Sequence, residues 1–162
     1  KNIYAVGDVT GKIQLAHLAS AQGMIAAENA MGEDKTMRYD IVPSCLYTIP
    51  EIASVGMTEE EAKKHKDVTV GNFPLVASGK AMAMGETQGF VKIIADKKYD
   101  EILGVHIVGP HATELINEAA AAMQLESTVE ELGNVIHAHP TLSESIMEAA
   151  HDVHGKCIHK PK

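Results

Sequence analysis

The chain has little with which to build a disulfide framework, a membrane span or a nucleic-acid surface. Its two cysteines, Cys45 and Cys157, lie far apart and form no C-x-x-C motif, which fits a reducing, cytoplasmic setting. No apolar run approaches the roughly 20 residues of a membrane span, and no signal peptide is visible. With 22 acidic against 14 basic residues the formal net charge is -8, which argues against nucleic acid or an anionic membrane as partner. Tryptophan is absent, and there is neither an internal repeat nor a low-complexity segment. Hydrophobic residues nevertheless make up 45% of the 162 positions and charged ones 22%, the proportions of a soluble globular protein with one good core. The sequence begins with Lys1 rather than methionine, directly on an apolar run, and is expected to be a fragment.

The stretch richest in chemistry is His137-Ala-His-Pro-Thr-Leu-Ser-Glu144. Thr141 and Glu144 form a T-x-x-E pattern, which predicts a capping box opening a helix through Ile146, Met147, Ala149 and Ala150. His139 then sits in the turn entering that helix, stiffened by Pro140. An imidazole with a carboxylate one turn behind it has the parts of a general acid/base and its orienter. The same residues also admit a plain reading, in which Glu144 caps its helix and His139 satisfies a loop carbonyl.

Taken in order, Ile3–Val6 predicts a buried strand, ended by a turn at Gly7-Asp8 and Thr10-Gly11. Small and apolar residues from Gln14 to Met31 recur at helical spacing, with Gly32 as the stop. Asp8 could present a turn to an anion or polar ring, or simply bond its own backbone. The charged segment 33–40 suggests a boundary. Beyond it, Ser44–Thr48 and Ile52–Val55 flank a break at Pro50 and predict strands. Thr58-Glu-Glu-Glu61 predicts a capped short helix, 68–76 a strand and 78–84 a short helix. Phe90–Ala95 and Ile102–Val108 predict a hairpin. A helix over Ala112–Met123 and a capped one from Thr128 follow. His151, His154, Cys157 and His159 have imidazole and thiol donors, but H-x2-H-x2-C-x-H is no recognised closed zinc pattern. No metal site is expected there, and the role of the four residues stays open.

Several separate strings give the chain a family resemblance. HAHPTLSE, IYAVGDV with LAHLASAQG, and YTIPEIASVGMTEEEAK together resemble the flavin-dependent disulfide reductases, the dihydrolipoamide dehydrogenases above all. Glutathione reductases share an H-P-T-x-S-E run, although EIASVG and HAHPTLSE look closer to the lipoamide enzymes. Mercuric reductase-like members lack the histidine. The resemblance implies that His139 is the acid/base and Glu144 its partner. It also implies that Gly7, Asp8, Leu15, Ala16 and His17 approach FAD, with Asp8 on the ribityl chain and 15–17 at the pyrimidine edge.

The rest of what that family needs is missing: a G-x-G-x-x-G turn, a redox cysteine pair and a second dinucleotide site for NAD. The expectation is therefore a C-terminal portion, inactive alone and holding no cofactor by itself. Residues 1–38 would be the end of an FAD domain. Residues 39–162 would be an α+β interface domain, an antiparallel β-sheet with helices packed on one side. The resemblance implies a homodimer in which His139 serves the partner subunit's flavin and cysteines. In the intact enzyme dihydrolipoamide would be oxidised through a disulfide and FAD to NAD, with lipoyl domains of 2-oxo acid dehydrogenase or glycine cleavage complexes as partners. The alternatives are a non-catalytic dimerisation module and a piece of a glutathione-reductase-like enzyme.

Overall fold

A computed structural model describes residues 2–160; Lys1 and residues 161–162, the outermost positions of the two expected domains, lie outside the described residues. The chain divides between Val42 and Pro43 into two compact units.

The first unit is a turn pinned to a helix. Residues 2–6 form no strand, and Ile3 is 96% exposed. This corrects the expectation of a buried strand there. A strand is made by its neighbours, and no paired strand lies among the described residues of this unit. Gly7–Thr10 instead forms a 3₁₀ turn, followed by helix α1 (Ala16–Ala30). The Gly7 N–H donates to Gln22 Oε1 of α1 at 2.7 Å, and Gln22 Nε2 donates in turn to the Tyr39 hydroxyl at 3.2 Å. The helix ends where expected: the Gly32 N–H bonds the Asn29 carbonyl with φ at +107°, a conformation that favours glycine.

The second unit is a five-stranded antiparallel sheet with helices, in the order β1-β2-β5-β4-β3. Its strands are β1 (Ser44–Leu46), β2 (Glu51–Gly56), β3 (Val68–Pro74), β4 (Phe90–Asp96) and β5 (Ile102–Gly109). Helix α2 (Glu59–Ala62) and α3 (Gly79–Met84) precede the β4–β5 hairpin; α4 (Ala112–Gln124), α5 (Val129–Asn134) and α6 (Glu144–Val153) follow it. The capping boxes at Thr58–Glu61 and Thr128–Glu131 both form.

Register decides what the sheet buries. Ala53 pairs with Ile107 and Ile107 with Val91; Val55 pairs with Val105 and Val105 with Ile93. All six are at most 1% exposed, and alternation puts them on one face. Helices α4 and α6 cover it. Gly71 of β3, paired with Ile93, leaves room for the α6 backbone against the strand. Helix α2 is the exception to helices on one side. Its Ala62 packs with Ile94 and Leu103, and Ile94 points away from Ile93.

On that second face Glu59 takes a 2.5 Å bond from Lys63 and a contact from Lys92 of β4. Those two bonds, Lys63 first, bring its carboxyl from 4.5 down to about 2. The folded value lies below the unfolded one, so this stabilisation is complete above pH 4.5 and is lost as pH falls through about 2. Glu59→Gln should therefore lower the urea midpoint at neutral pH, and the gap to wild type should close on acidification. Equal midpoints at pH 7 would mean that solvent screens the pair completely.

Candidate functional site

Helix α6 starts at Glu144, with Ser143 as N-cap and no side-chain cap bond. The expected capping box is therefore only half made. The Thr141 hydroxyl donates to the Ala138 carbonyl at 2.6 Å and lies 3.0 Å from Ser143 Oγ. The reverse half is present: Glu144 Oε2 accepts the Thr141 N–H at 2.8 Å. The other oxygen, Oε1, lies 2.8 Å from His139 Nδ1. Glu144 thus makes both contacts at once, one on each oxygen.

Burial pushes the Glu144 carboxyl up. The Thr141 N–H, the His139 bond and the charges of His139 and His137 outweigh it, and the net shift is downward. An ionised carboxylate only accepts, so His139 Nδ1 carries the hydrogen and Nε2 is left to take a proton. The His139 side chain is 78% exposed and that of Glu144 is 25% exposed. The imidazole is open to solvent while the carboxylate beside it is held.

A second pair steadies the loop. His137, 4% exposed at its side chain, sets Nδ1 2.8 Å from the Val135 carbonyl and Nε2 2.7 Å from Glu118 Oε1 of α4. Helix α4 is itself fixed at its start, where Glu51 Oε2 accepts the Thr113 N–H at 2.9 Å and its hydroxyl at 2.7 Å. Those Thr113 bonds, the N–H first, hold the Glu51 carboxyl below its ordinary range. A carboxylate at a helix N-terminus is favourable in its own right. Sequence reasoning missed Glu118, because nothing local connects it to a histidine 19 positions on.

The five expected cofactor residues lie in the first unit. Gly7 and Asp8 open the 3₁₀ turn, with Gly7 at φ +78° and Asp8 exposed. Leu15 is the N-cap of α1 and offers no side-chain cap; Ala16 and His17 are exposed in the first turn. An exposed carboxylate and a helix start with no side-chain cap are an acceptor and a set of donors of the kind that a polyol chain and the polar edge of a ring require.

The four tail residues do not converge. His154 Nε2 lies 3.2 Å from Asp100, while His151 packs against Gly133 with Nδ1 buried and unpartnered among the described residues. Cys157 and His159 instead meet on Glu148 of α6. Oε2 accepts the Cys157 thiol at 2.8 Å and the Ile158 N–H at 2.9 Å, and Oε1 lies 2.6 Å from His159 Nδ1. Burial first, then Glu148, pushes the Cys157 thiol up to about 11, so it stays a thiol. Among the described residues no group of three or more His, Cys, Asp or Glu could hold a metal ion. Nor is any described helix long and apolar enough to cross a membrane.

Comparison with known proteins gives a consistent set of relatives. Residues 42–150 match the family model described as pyridine nucleotide-disulphide oxidoreductase, dimerisation domain. Dihydrolipoyl dehydrogenase of Bacillus subtilis is 52% identical over 160 residues, 98% of this chain and 34% of that protein. The mitochondrial dihydrolipoyl dehydrogenase of Pisum sativum is 48% identical over 97% of this chain and 32% of its own length. The chain therefore spans about a third of the curated relatives it matches. Among solved structures, LpdA from Mycobacterium tuberculosis superposes with a TM-score of 0.86 at 37% identity, covering 91% of this chain and 33% of that one. The HOCl-induced flavoprotein disulfide reductase RclA from Escherichia coli gives 0.82 at 33% identity, over 90% of this chain and 34% of that one.

Proposed function

Since the chain belongs to the pyridine nucleotide-disulphide oxidoreductase family through its dimerisation domain, we propose that it works as the C-terminal third of a dihydrolipoamide dehydrogenase. Residues 1–38 are then the end of the FAD domain and 39–162 the interface domain. The observation that carries this reading is the division of Glu144 between Thr141 and His139. One oxygen fixes the carboxylate to its own turn while the other fixes the imidazole, leaving Nε2 as a pre-oriented base.

The substrate class is taken from the name of the relatives, dihydrolipoyl dehydrogenases, and such a base suits it. A dithiol attacks a disulfide only as its thiolate, and its own pKa leaves little thiolate at neutral pH. His139 Nε2 takes the thiol proton, and Glu144 stabilises the imidazolium that results. Dihydrolipoamide, carried on lipoyl domains of 2-oxo acid dehydrogenase or glycine cleavage complexes, is the dithiol. The dithiol reduces the redox disulfide to a cysteine pair as it is itself oxidised, and bound FAD would supply the two-electron carrier between that reduced pair and NAD. Asp8 and Gly7, with Leu15, Ala16 and His17, are the residues of this chain that would hold FAD. Without the remaining segments the chain is inactive.

The working unit is a homodimer, with His139 serving the partner subunit's site. The dimerisation-domain match supports this. So does the groove beside His137, where Leu125, Val135 and Ile136 are 78%, 51% and 96% exposed, a surface expected to be covered.

Subunit complementation tests the arrangement in the full-length enzyme. A His139→Ala subunit and a subunit lacking the redox cysteines are each inactive as homodimers. Their hybrid has one doubly damaged site and one intact site. Random re-pairing of equal amounts makes about half the dimers hybrid, so about a quarter of wild-type activity should return. No recovery despite demonstrated exchange would place His139 in its own subunit's site, whereas a folded His139→Ala homodimer with full activity would remove it from the chemistry and leave the piece as a dimerisation module only.

A further inference from the structure

His139 stands on a loop that its own backbone does little to hold. From residue 136 to residue 140 no backbone–backbone hydrogen bond forms among the described residues. The Thr141 hydroxyl donates to the Ala138 carbonyl, and Glu144 Oε1 lies against His139 Nδ1; both ties run toward α6. Toward α4 the tie is His137, whose side chain is 4% exposed against 78% for His139. Two histidines separated by one alanine are thus placed differently, one sunk between elements and one presented to solvent.

The His137 contacts fix a proton count. Nδ1 lies 2.8 Å from the Val135 carbonyl oxygen, and Nε2 lies 2.7 Å from Glu118 Oε1. A carbonyl oxygen only accepts, so Nδ1 carries a hydrogen. A neutral imidazole has a single N–H, so its Nε2 would then present a lone pair. Against an ionised carboxylate that lone pair is repelled. The contact closes only with a proton in it, as an imidazolium facing a carboxylate or as a carboxylic acid facing a neutral ring. In both forms the pair holds one proton more than a neutral histidine beside an ionised glutamate.

The surroundings favour that proton. Glu118 comes from α4, and Glu144 comes from α6, where its carboxyl feels the His137 charge. Glu131 of α5 lines the same groove, with its carboxylate taken by the N–H and hydroxyl of Thr128. His139 is the other titratable group on the loop. No lysine or arginine lines the groove among the described residues, so negative charge faces the ring from three helices.

We propose that His137 and Glu118 are positioning residues for the reaction: a proton-bearing clamp that ties the loop to α4 and so sets where His139 Nε2 stands. This rests on the acid/base reading of His139. The clamp exchanges no proton with the substrate, and no electron moves in it. When rising pH strips the shared proton, Nε2 and Glu118 face each other with no hydrogen between them. The clamp then opens, and the loop keeps only its ties toward α6. The hold is therefore present at lower pH and lost as pH rises, the sign expected for a histidine that gains a carboxylate partner on folding.

The test uses the full-length enzyme with Glu118→Ala, Glu118→Gln and His139→Ala, each checked for folding by circular dichroism and for dimers by light scattering. Glu118→Ala should lower kcat roughly 10- to 100-fold, the scale of a misplaced reacting group, with KM little changed. Glu118→Gln should recover most of that loss at neutral pH. Its amide oxygen accepts from the imidazolium and, turned over, its amide N–H donates to the neutral ring, so it holds the clamp on both sides of the proton loss. The ratio of Glu118→Gln to wild-type kcat should therefore rise toward alkaline pH, by up to the factor lost in Glu118→Ala. Titrations common to the two enzymes cancel in that ratio, and it decides the matter alone if Glu118→Ala does not fold. A ratio flat with pH makes the pair a packing contact and overturns the clamp. So does a folded, dimeric Glu118→Ala enzyme with wild-type kcat, or one that is slow only because it has fallen to monomers. If His139→Ala is itself unimpaired, the acid/base reading has failed first.

Discussion

Replacing His139 with Ala in the full-length enzyme is expected to lower dithiol-dependent turnover by roughly 10²–10⁴, the scale for losing a positioned acid/base. That corresponds to about 3–5 kcal/mol at the transition state. The loss should fall on kcat more than on KM, because the ring moves a proton and does little to hold the substrate. Stability gives the discriminating contrast. The His139 side chain is 78% exposed, so its removal should shift the unfolding free energy by no more than about 0.5 kcal/mol. A loop-bonding histidine would show the opposite balance, with stability lost and rate kept. Glu144→Gln should slow turnover less than His139→Ala, since the imidazole remains. It should lower stability at neutral pH, because the folded carboxyl lies below its ordinary value of 4.5. Stabilisation of that sign is present above the unfolded pKa and lost as pH falls through the folded one. Unchanged turnover in a folded His139→Ala enzyme would end the acid/base proposal.

The contact at the centre of that prediction was legible because it is local. His139 and Glu144 are five positions apart, and one turn plus one helix start suffice to bring them together. The same holds for the caps at Thr58 and Thr128 and for the β4–β5 hairpin, whose signals lie within a few residues of each other. Local reasoning failed at Thr141. The capping motif is satisfied by either of two bonds, and the hydroxyl bonded Ala138 instead of the Glu144 N–H. It failed more plainly at Ile3–Val6, whose composition suits a buried strand although no strand among the described residues of its unit pairs with it. The pairs His137–Glu118 and His159–Glu148 were not legible at all. Their partners meet only because α4 and α6 dock on the sheet and the tail folds back along α6. Packing sets that proximity, and spacing does not show it.

That docking sets the last expectation, for Gly71→Ala. Gly71 sits in the middle of β3 with Ile93 as its neighbour, and its backbone needs no special φ, so only space is at issue. A Cβ there would fall well inside contact with the Ala149 carbonyl oxygen, and 2.7 Å from both Cγ2 and N of Val153. Two of those three atoms are α6 backbone, which cannot swing aside as a side chain would. The helix must therefore lift from the sheet, uncovering Val91 and Ile93 on the sheet and Ile146 and Ala149 on α6, all buried here. Overpacking of this kind costs about 1–3 kcal/mol, occasionally more, and a backbone clash places Gly71→Ala at about 3 kcal/mol. Urea unfolding should show this as a lower midpoint with little change in slope. Gly23→Ala is the matched control: it lies inside α1 with nothing within 4 Å of its Cβ position, and alanine there should gain about 0.5–1 kcal/mol. Glu144, which holds the His139 imidazole, rides on α6, so the lifted helix should also slow the full-length enzyme. A Gly71→Ala chain as stable as wild type would mean that α6 is not seated on the strand, and the geometry of His139 would then need another support.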